Sequence, residues 1–216
     1  MKKIVVVVLV VFGFIVSLQA QTDAKAKAIL AQVSKKYRAY DVVKTEFALT
    51  IENKQAKLKE TQQGTLYVKA NANKYKVVMA DQELISDGRS QWTYLKEDKE
   101  VQVTDVDNSS DAINPAKIFT LYEQGFKYLY TGENKVAGKV FQMIDLSPID
   151  TKRPYFKIRL SIDKNAKQIS SATIFEKSGN VYTYAIKSLV PNVKMAESTF
   201  SYDTKKYPGV EVVDLR

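Results

Sequence analysis

Histidine and cysteine, which carry most nucleophilic, general-base and zinc chemistry near neutral pH, are both absent from this chain. What is left for chemistry is carboxylates, lysines, tyrosines and hydroxyls. Asp105, Asp107, Asn108 and Asp111 have the alternating acidic character of a calcium loop. The spacing lacks a glycine at the sixth position and puts Ala116 where the bidentate Glu belongs, which argues against that site. Carboxylates are common enough to form a glycosidase pair, but nothing in the sequence brings two together. No Gly-rich phosphate loop is present. Aromatics interleaved with lysines suit single-stranded nucleic acid, yet the export signal described below argues against that partner, and strand tyrosines usually serve sheet packing. The expectation is a non-catalytic binding protein with no metal, no cofactor and no nucleic-acid partner.

The elements that would shape a binding site are strands. Val43, Thr45, Phe47, Leu49 and Ile51 alternate with Lys44, Glu46, Thr50 and Glu52, the pattern of a half-buried strand. Leu66 and Val68 follow Gly64, and Tyr75, Val77 and Met79 alternate with Lys76 and Val78. Ile85-Ser86-Asp87-Gly88-Arg89-Ser90-Gln91-Trp92-Thr93-Tyr94 predicts a hairpin with a two-residue type I′ turn, because Asp-Gly tolerates positive φ at both central positions. Its returning strand puts Trp92, the only tryptophan, and Tyr94 on one face. Val101 and Val103 continue the sheet. After the 105–111 break, Asn114 as N-cap and Pro115 at the first helical position predict a short helix through Ile118, Phe119, Leu121 and Tyr122 to a stop at Gly125. Further alternating runs follow, at 126–130, 140–146, 156–162, around 174 and at 181–189. Phe200-Ser201-Tyr202 and 210–213 are short extended pieces. Thr22 to Tyr40 precedes the strands as an amphipathic helix, with Ile29 or Leu30, Val33, Tyr37 and Tyr40 on its apolar stripe. The total is about eleven strands at hairpin spacing, which predicts an antiparallel meander long enough that it must curl or split.

Residues 1–20 read as a cleaved signal peptide: Lys2 and Lys3, an apolar run from Ile4 to Val16, and Ser17-Leu18-Gln19-Ala20 before cleavage near Ala20-Gln21. No cysteine follows, so the chain is not itself acylated, and the exported fold is held by packing without disulfides. The formal charge of +9 becomes +7 once Lys2 and Lys3 leave. The remaining lysines are scattered along the sequence, which reads as solubility; attraction to anionic membrane surfaces is the sharper alternative. Residues 21–216 read as a single domain.

The stretch from Ile85 to Tyr94 resembles the LolA-type outer-membrane lipoprotein carriers, which have Ser-Asp-Gly-Lys/Arg followed by Trp-x-Tyr at this point. Gly64-Thr65-Leu66-Tyr67-Val68-Lys69 is similar to the family's Gly-x-Leu-Trp-Val-Lys strand. Asn114-Pro115 with its apolar helix, and Phe200-Ser201-Tyr202 with Pro208-Gly209-Val210, follow in the family's order. The resemblance implies a mainly β (α+β) fold, an unclosed antiparallel β-barrel of about eleven strands, with the N-terminal and mid-chain helices as a lid over an apolar cavity. It implies a monomeric periplasmic carrier that takes lipoprotein acyl chains from an inner-membrane ABC transporter and delivers them to an outer-membrane acceptor, with no covalent step. Other half-barrels serve as envelope sensors or carry other hydrophobic molecules, so those readings stand beside it. One departure is visible. The family has an Arg after Val-Lys that bonds to the lid, whereas Ala70 stands here, and Lys69 points to the opposite face. Strand alternation nominates the lipid-binding wall: Phe47, Leu49, Ile51, Leu66, Val68, Val77, Met79, Trp92 and Tyr94, with Ile118 and Leu121 from the lid.

Overall fold

A computed structural model describes residues 23–106 and 115–216. The expected signal peptide, the calcium-loop positions Asp107, Asn108 and Asp111, and the expected cap Asn114 lie outside the described residues, as does the side chain of Ala70. Helix α1 covers 23–38. Twelve strands follow: β1 (Val43–Asn53), β2 (Leu58–Lys69), β3 (Lys74–Met79), β4 (Gln82–Ser86), β5 (Ser90–Leu95), β6 (Glu100–Asp105), β7 (Phe126–Val136), β8 (Lys139–Pro148), β9 (Tyr155–Asp163), β10 (Gln168–Glu176), β11 (Val181–Pro191) and β12 (Glu211–Asp214). They form one sheet in the order β12-β6-β5-β4-β3-β2-β1-β11-β10-β9-β8-β7. β1 therefore sits in the middle, paired with β2 on one side and β11 on the other. β7 and β12 are the two edges, so the sheet curls without closing.

The expected meander holds for β1–β6 and β7–β11. Two features depart from it. The count is twelve because the C-terminal piece is a true strand, and β12 pairs with β6 in parallel, a connection that a hairpin count does not contain. β2 also begins earlier than its polar start suggests. Leu58 to Gln63 carries few apolar residues, but backbone pairing with β1 holds it in register as far as Asn53.

Local chemistry explains the turns. The 87–89 loop is longer than a two-residue hairpin. Gly88 has φ +97, while neither Asp87 nor Arg89 has positive φ. The turn is held instead by the Asp87 carboxylate, which accepts from the backbone N–H groups of Arg89 and Ser90, both at 2.9 Å, an Asx-type closure that replaces the expected type I′ geometry. A side chain at Gly88 would meet the Ala72 carbonyl oxygen at 2.6 Å, so this loop seats on the β2–β3 turn. The mid-chain helix is also corrected. Residues 115–123 form two 3₁₀ turns, Pro115–Lys117 and Leu121–Glu123, and the chain leaves through Gly125 at φ +80. A segment this short gains little from helical propensity alone; its conformation follows its tertiary contacts.

The main core lies between the concave face of the sheet and α1. Ala26, Leu30, Val33 and Tyr37 are buried on the helix, one residue per turn, and meet Ile144, Leu146, Ile158, Leu160 and Ile162 in one cluster. A second buried group, Ile85, Val101, Val103 and Phe200, lies on the opposite, convex face. There the C-terminal segment crosses β3–β6.

Candidate functional site

Pairing registers assign every strand residue to a face. Thr45, Leu66, Val77 and Leu84 are consecutive partners across β1–β4, and Phe47, Gly64 and Met79 form the next row. These rows face α1. Gly64 is required there: a Cβ would stand 2.6 Å from the Phe47 ring, so the missing side chain is the space that ring occupies.

Between these rows and residues 115–119 lies a cavity of about 330 Å³, lined by Thr45, Phe47, Leu49, Leu66, Val77, Met79, Gln82, Leu84, Gln91, Pro115, Ile118, Phe119, Ile169, Ala172, Tyr184 and Ile186. No lining side chain is charged. The volume is at the lower end of small-molecule sites, about 300–1,000 Å³. Its polar groups are few. Gln91 accepts from the Tyr75 hydroxyl, and burial raises Tyr75 to a pKa of about 12, keeping it a neutral donor. Thr45 is 2% exposed, and its hydroxyl has no hydrogen-bond partner among the described residues.

Of the residues nominated from alternation, Phe47, Leu49, Leu66, Val77, Met79 and Ile118 are brought together on this wall. Val68 is 1% exposed and sits in the packed core. Ile51 shares the face but lies nearer the rim, paired with Tyr182. Leu121 packs against the core outside the lining. Trp92 and Tyr94 are corrected. Trp92 pairs with Ile85, and Tyr94 with Glu83, which places both on the convex face. Gln91 and Thr93 are the inward residues of β5. The parity was readable in the sequence, but which parity faced inward depended on pairing β5 through β4 to β1. On the convex side Tyr94 meets Tyr207 at 5.0 Å, and Tyr207 stacks on Tyr202 at 4.8 Å. The Tyr207 hydroxyl donates to Glu83 at 3.1 Å, and Lys76 pairs with Glu83 at 2.8 Å. These rings hold the C-terminal segment, remote from the cavity.

Alternation in isolation missed the far wall: Tyr184, Ile186, Ala172 and Ile169. Their register with β1, Phe47 opposite Ile186 and Leu49 opposite Tyr184, joins residues far apart in sequence. No local signal predicts that pairing.

The segment over the cavity is fastened to α1. Tyr37 stacks on Phe119 with centroids 4.4 Å apart. Ser34 donates to the Tyr122 hydroxyl at 3.2 Å. Arg38 pairs with Glu123, its Nε 3.1 Å from Oε1; this guanidinium holds the Glu123 carboxyl below its usual range. Burial pushes the Tyr37 and Tyr122 hydroxyls upward, so both stay neutral. The tie therefore comes from the helix. Lys69 faces the convex side as expected and joins Lys74 in holding Glu197.

An open, curled sheet whose concave face encloses an uncharged cavity beneath a helix and a short cover defines a binding fold of the half-barrel class. Residues 19–203 match the model of the family described as outer membrane lipoprotein carrier protein LolA, and the chain belongs to that family. Among solved structures, an uncharacterized conserved protein from Thermus thermophilus shares the fold at TM-score 0.55 and 14% identity, covering 88% of this chain and 99% of its own. A putative outer membrane lipoprotein-sorting protein domain from Vibrio parahaemolyticus reaches TM-score 0.49 at 12% identity, over 82% of this chain and 97% of that one. A chain of the Pseudomonas aeruginosa MucA/MucB complex reaches TM-score 0.48 at 15% identity, over 84% of this chain and 62% of that one. No curated protein matches the sequence.

Proposed function

We propose that the chain is a periplasmic carrier that takes the acyl chains of lipoproteins into the cavity between β1–β4 and residues 115–119 and moves them from the inner to the outer membrane. The observation that carries this reading is the lining itself: sixteen residues without one charge, beneath a segment tied to α1. Each methylene withdrawn from water is worth about 0.8 kcal/mol, so an acylated protein leaves a bilayer only if another apolar site accepts its chains. Non-directional burial accomplishes this without covalent chemistry. An inner-membrane lipoprotein-releasing ABC transporter would supply the cargo, and an outer-membrane acceptor would receive it.

The test is purification of the exported protein from its native envelope, followed by mass spectrometry of what it holds. Acylated peptides or lipoproteins are the expected result. Free lipid without attached protein would make it a carrier of another lipid. A protein that arrives bare and takes up no fluorescent acyl probe would refute the carrier reading.

A further inference from the structure

Six of the lysines scattered along the sequence come together on one rim of the fold. Six neighbouring strands, β2-β1-β11-β10-β9-β8, end in three turns on one rim: 54–57, 177–180 and 149–154. They are level. Glu52 pairs with Val181, Val181 with Phe175, and Phe175 with Lys157, so all three turns project beyond the same row. They also touch. Asn53 donates to Asn180 at 2.7 Å, and the Lys177 backbone N–H donates to the Pro154 carbonyl at 2.9 Å. At the usual strand spacing the arc is about 25 Å wide.

Each end of this arc raises large apolar side chains into solvent. Leu58 is 47% exposed, Ile149 61% and Phe156 52%. Phe156 leans on Phe175, with centroids 6.2 Å apart, and the Lys157 ammonium covers Phe175 at 4.3 Å. Lysines sit among them: Lys54, Lys57 and Lys59 around Leu58, and Lys152, Lys157 and Lys177 around Ile149 and Phe156. Lys54, Lys57 and Lys152 have no acidic partner among the described residues. The acids of the arc are fewer, and four are engaged: Glu52 stands 3.8 Å from Lys59, Glu60 accepts from Gln62, Asp150 accepts from the Lys152 backbone N–H, and Glu176 accepts from Ser178. Exposed apolar side chains ringed by ammonium groups complement an anionic bilayer, whose interior takes the apolar groups while its phosphates take the charge.

We propose that this rim docks directly on an anionic lipid surface. The concave face leads to it. Beyond the cavity residues Leu49 and Tyr184, the next inward pair on β1 and β11 is Ile51 and Tyr182, and the tip follows at Asn53. A chain leaving the cavity toward this end passes the half-buried Ile51–Tyr182 pair, beside Glu60 on β2, before it reaches the rim. The proposal stands apart from the identity of the cargo, because it concerns the surface and not the cavity.

The experiment is flotation of the exported chain with vesicles of pure phosphatidylcholine or of phosphatidylcholine and phosphatidylglycerol at 3:1. Binding is expected to the anionic vesicles at low salt, weakened at least tenfold by 0.5 M NaCl. Replacing Leu58, Ile149 and Phe156 together by serine should lower binding at least tenfold. All three are exposed, so an unchanged circular-dichroism melt is expected. Replacing Lys54, Lys57 and Lys152 by glutamine should lower it roughly a hundredfold, at about fivefold per lysine. Replacing Lys135, Lys139 and Lys167, at the opposite rim, should change it little. Equal loss with the opposite-rim lysines, or full binding by the serine variant, would overturn the proposal. So would a dimer that the serine variant abolishes in a protein that never binds vesicles.

Discussion

Replacing Leu66 by Glu tests the cavity by giving it a proton-dependent lock. Leu66 is 5% exposed, lies between Thr45 and Val77 in the wall, and has no cation among the lining residues to pair with a carboxylate. A cavity of about 330 Å³ has room for water around the new group, since one water needs about 30 Å³. The empty variant can therefore fold with the carboxylate ionised. An incoming acyl chain displaces that water and forces the group to neutralise. From an ordinary Glu pKa of about 4.3, protonation at pH 7 costs about 1.36 × 2.7, or about 3.7 kcal/mol, which is roughly 500-fold in affinity. The penalty vanishes below about pH 4.3 and grows about tenfold per pH unit above it. The assay is displacement of an uncharged fluorescent acyl ester between pH 4 and 8, with Leu66→Gln as the pH-independent control and circular dichroism to confirm the fold. A folded Leu66→Glu protein that binds like the parent at pH 7 would place the ligand elsewhere and refute the wall assignment.

Three further outcomes follow from the same geometry. Thr45→Val removes a buried hydroxyl that has no partner among the described residues while keeping its shape, and should raise stability by about 1 kcal/mol, read as a higher urea midpoint. Glu197 is held at a pKa of about 2 by hydrogen bonds from Lys69 and Lys74. Its contribution is present above the ordinary carboxylate range and is lost as pH falls through about 2; Glu197→Gln should abolish that acid step in the near-ultraviolet dichroism of Tyr202 and Tyr207. Trp92 faces away from the cavity, so its fluorescence should stay unchanged on saturation with an acyl ligand, and Trp92→Phe should bind as the parent does; a spectral shift on binding would contradict the face assignment.

Local periodicity was sufficient where one face of a strand is buried. β1, β3 and the stripe of α1 are examples, and alternation put Phe47, Leu49, Leu66, Val77 and Met79 on one face, the face that the pairing registers turn toward the cavity. It failed where facing depends on partners. Trp92 and Tyr94 look like a wall because aromatic pairs on a strand mark a packed face, and here the packed face is convex, roofed by Tyr202 and Tyr207 from the end of the chain. The mid-chain helix failed for a different reason. Pro115 and the apolar spacing at 118–122 are helix signals, but the segment is too short to hold an α-helix, and contacts with Tyr37, Ser34 and Arg38 set its path. The far wall of the cavity was hidden because its pairing spans most of the chain.

That central pairing also bears on how the chain matures. β1 is made early, yet its second neighbour is β11, so Val43 waits for Pro191 before its ladder is complete. Long loop closures of this kind slow folding, and until they occur β1 is an open edge with Val43, Phe47, Leu49 and Ile51 on one side, a template for wrong pairing. A chain synthesised N-terminus first must carry this edge unsatisfied through almost its entire length. The β7–β11 meander, built from adjacent hairpins, can form on its own schedule, and β1 then closes the gap between two preassembled halves. Aggregation during folding should therefore respond more to changes along β11 than to equally severe changes along β6, because β11 is the strand that ends the exposure.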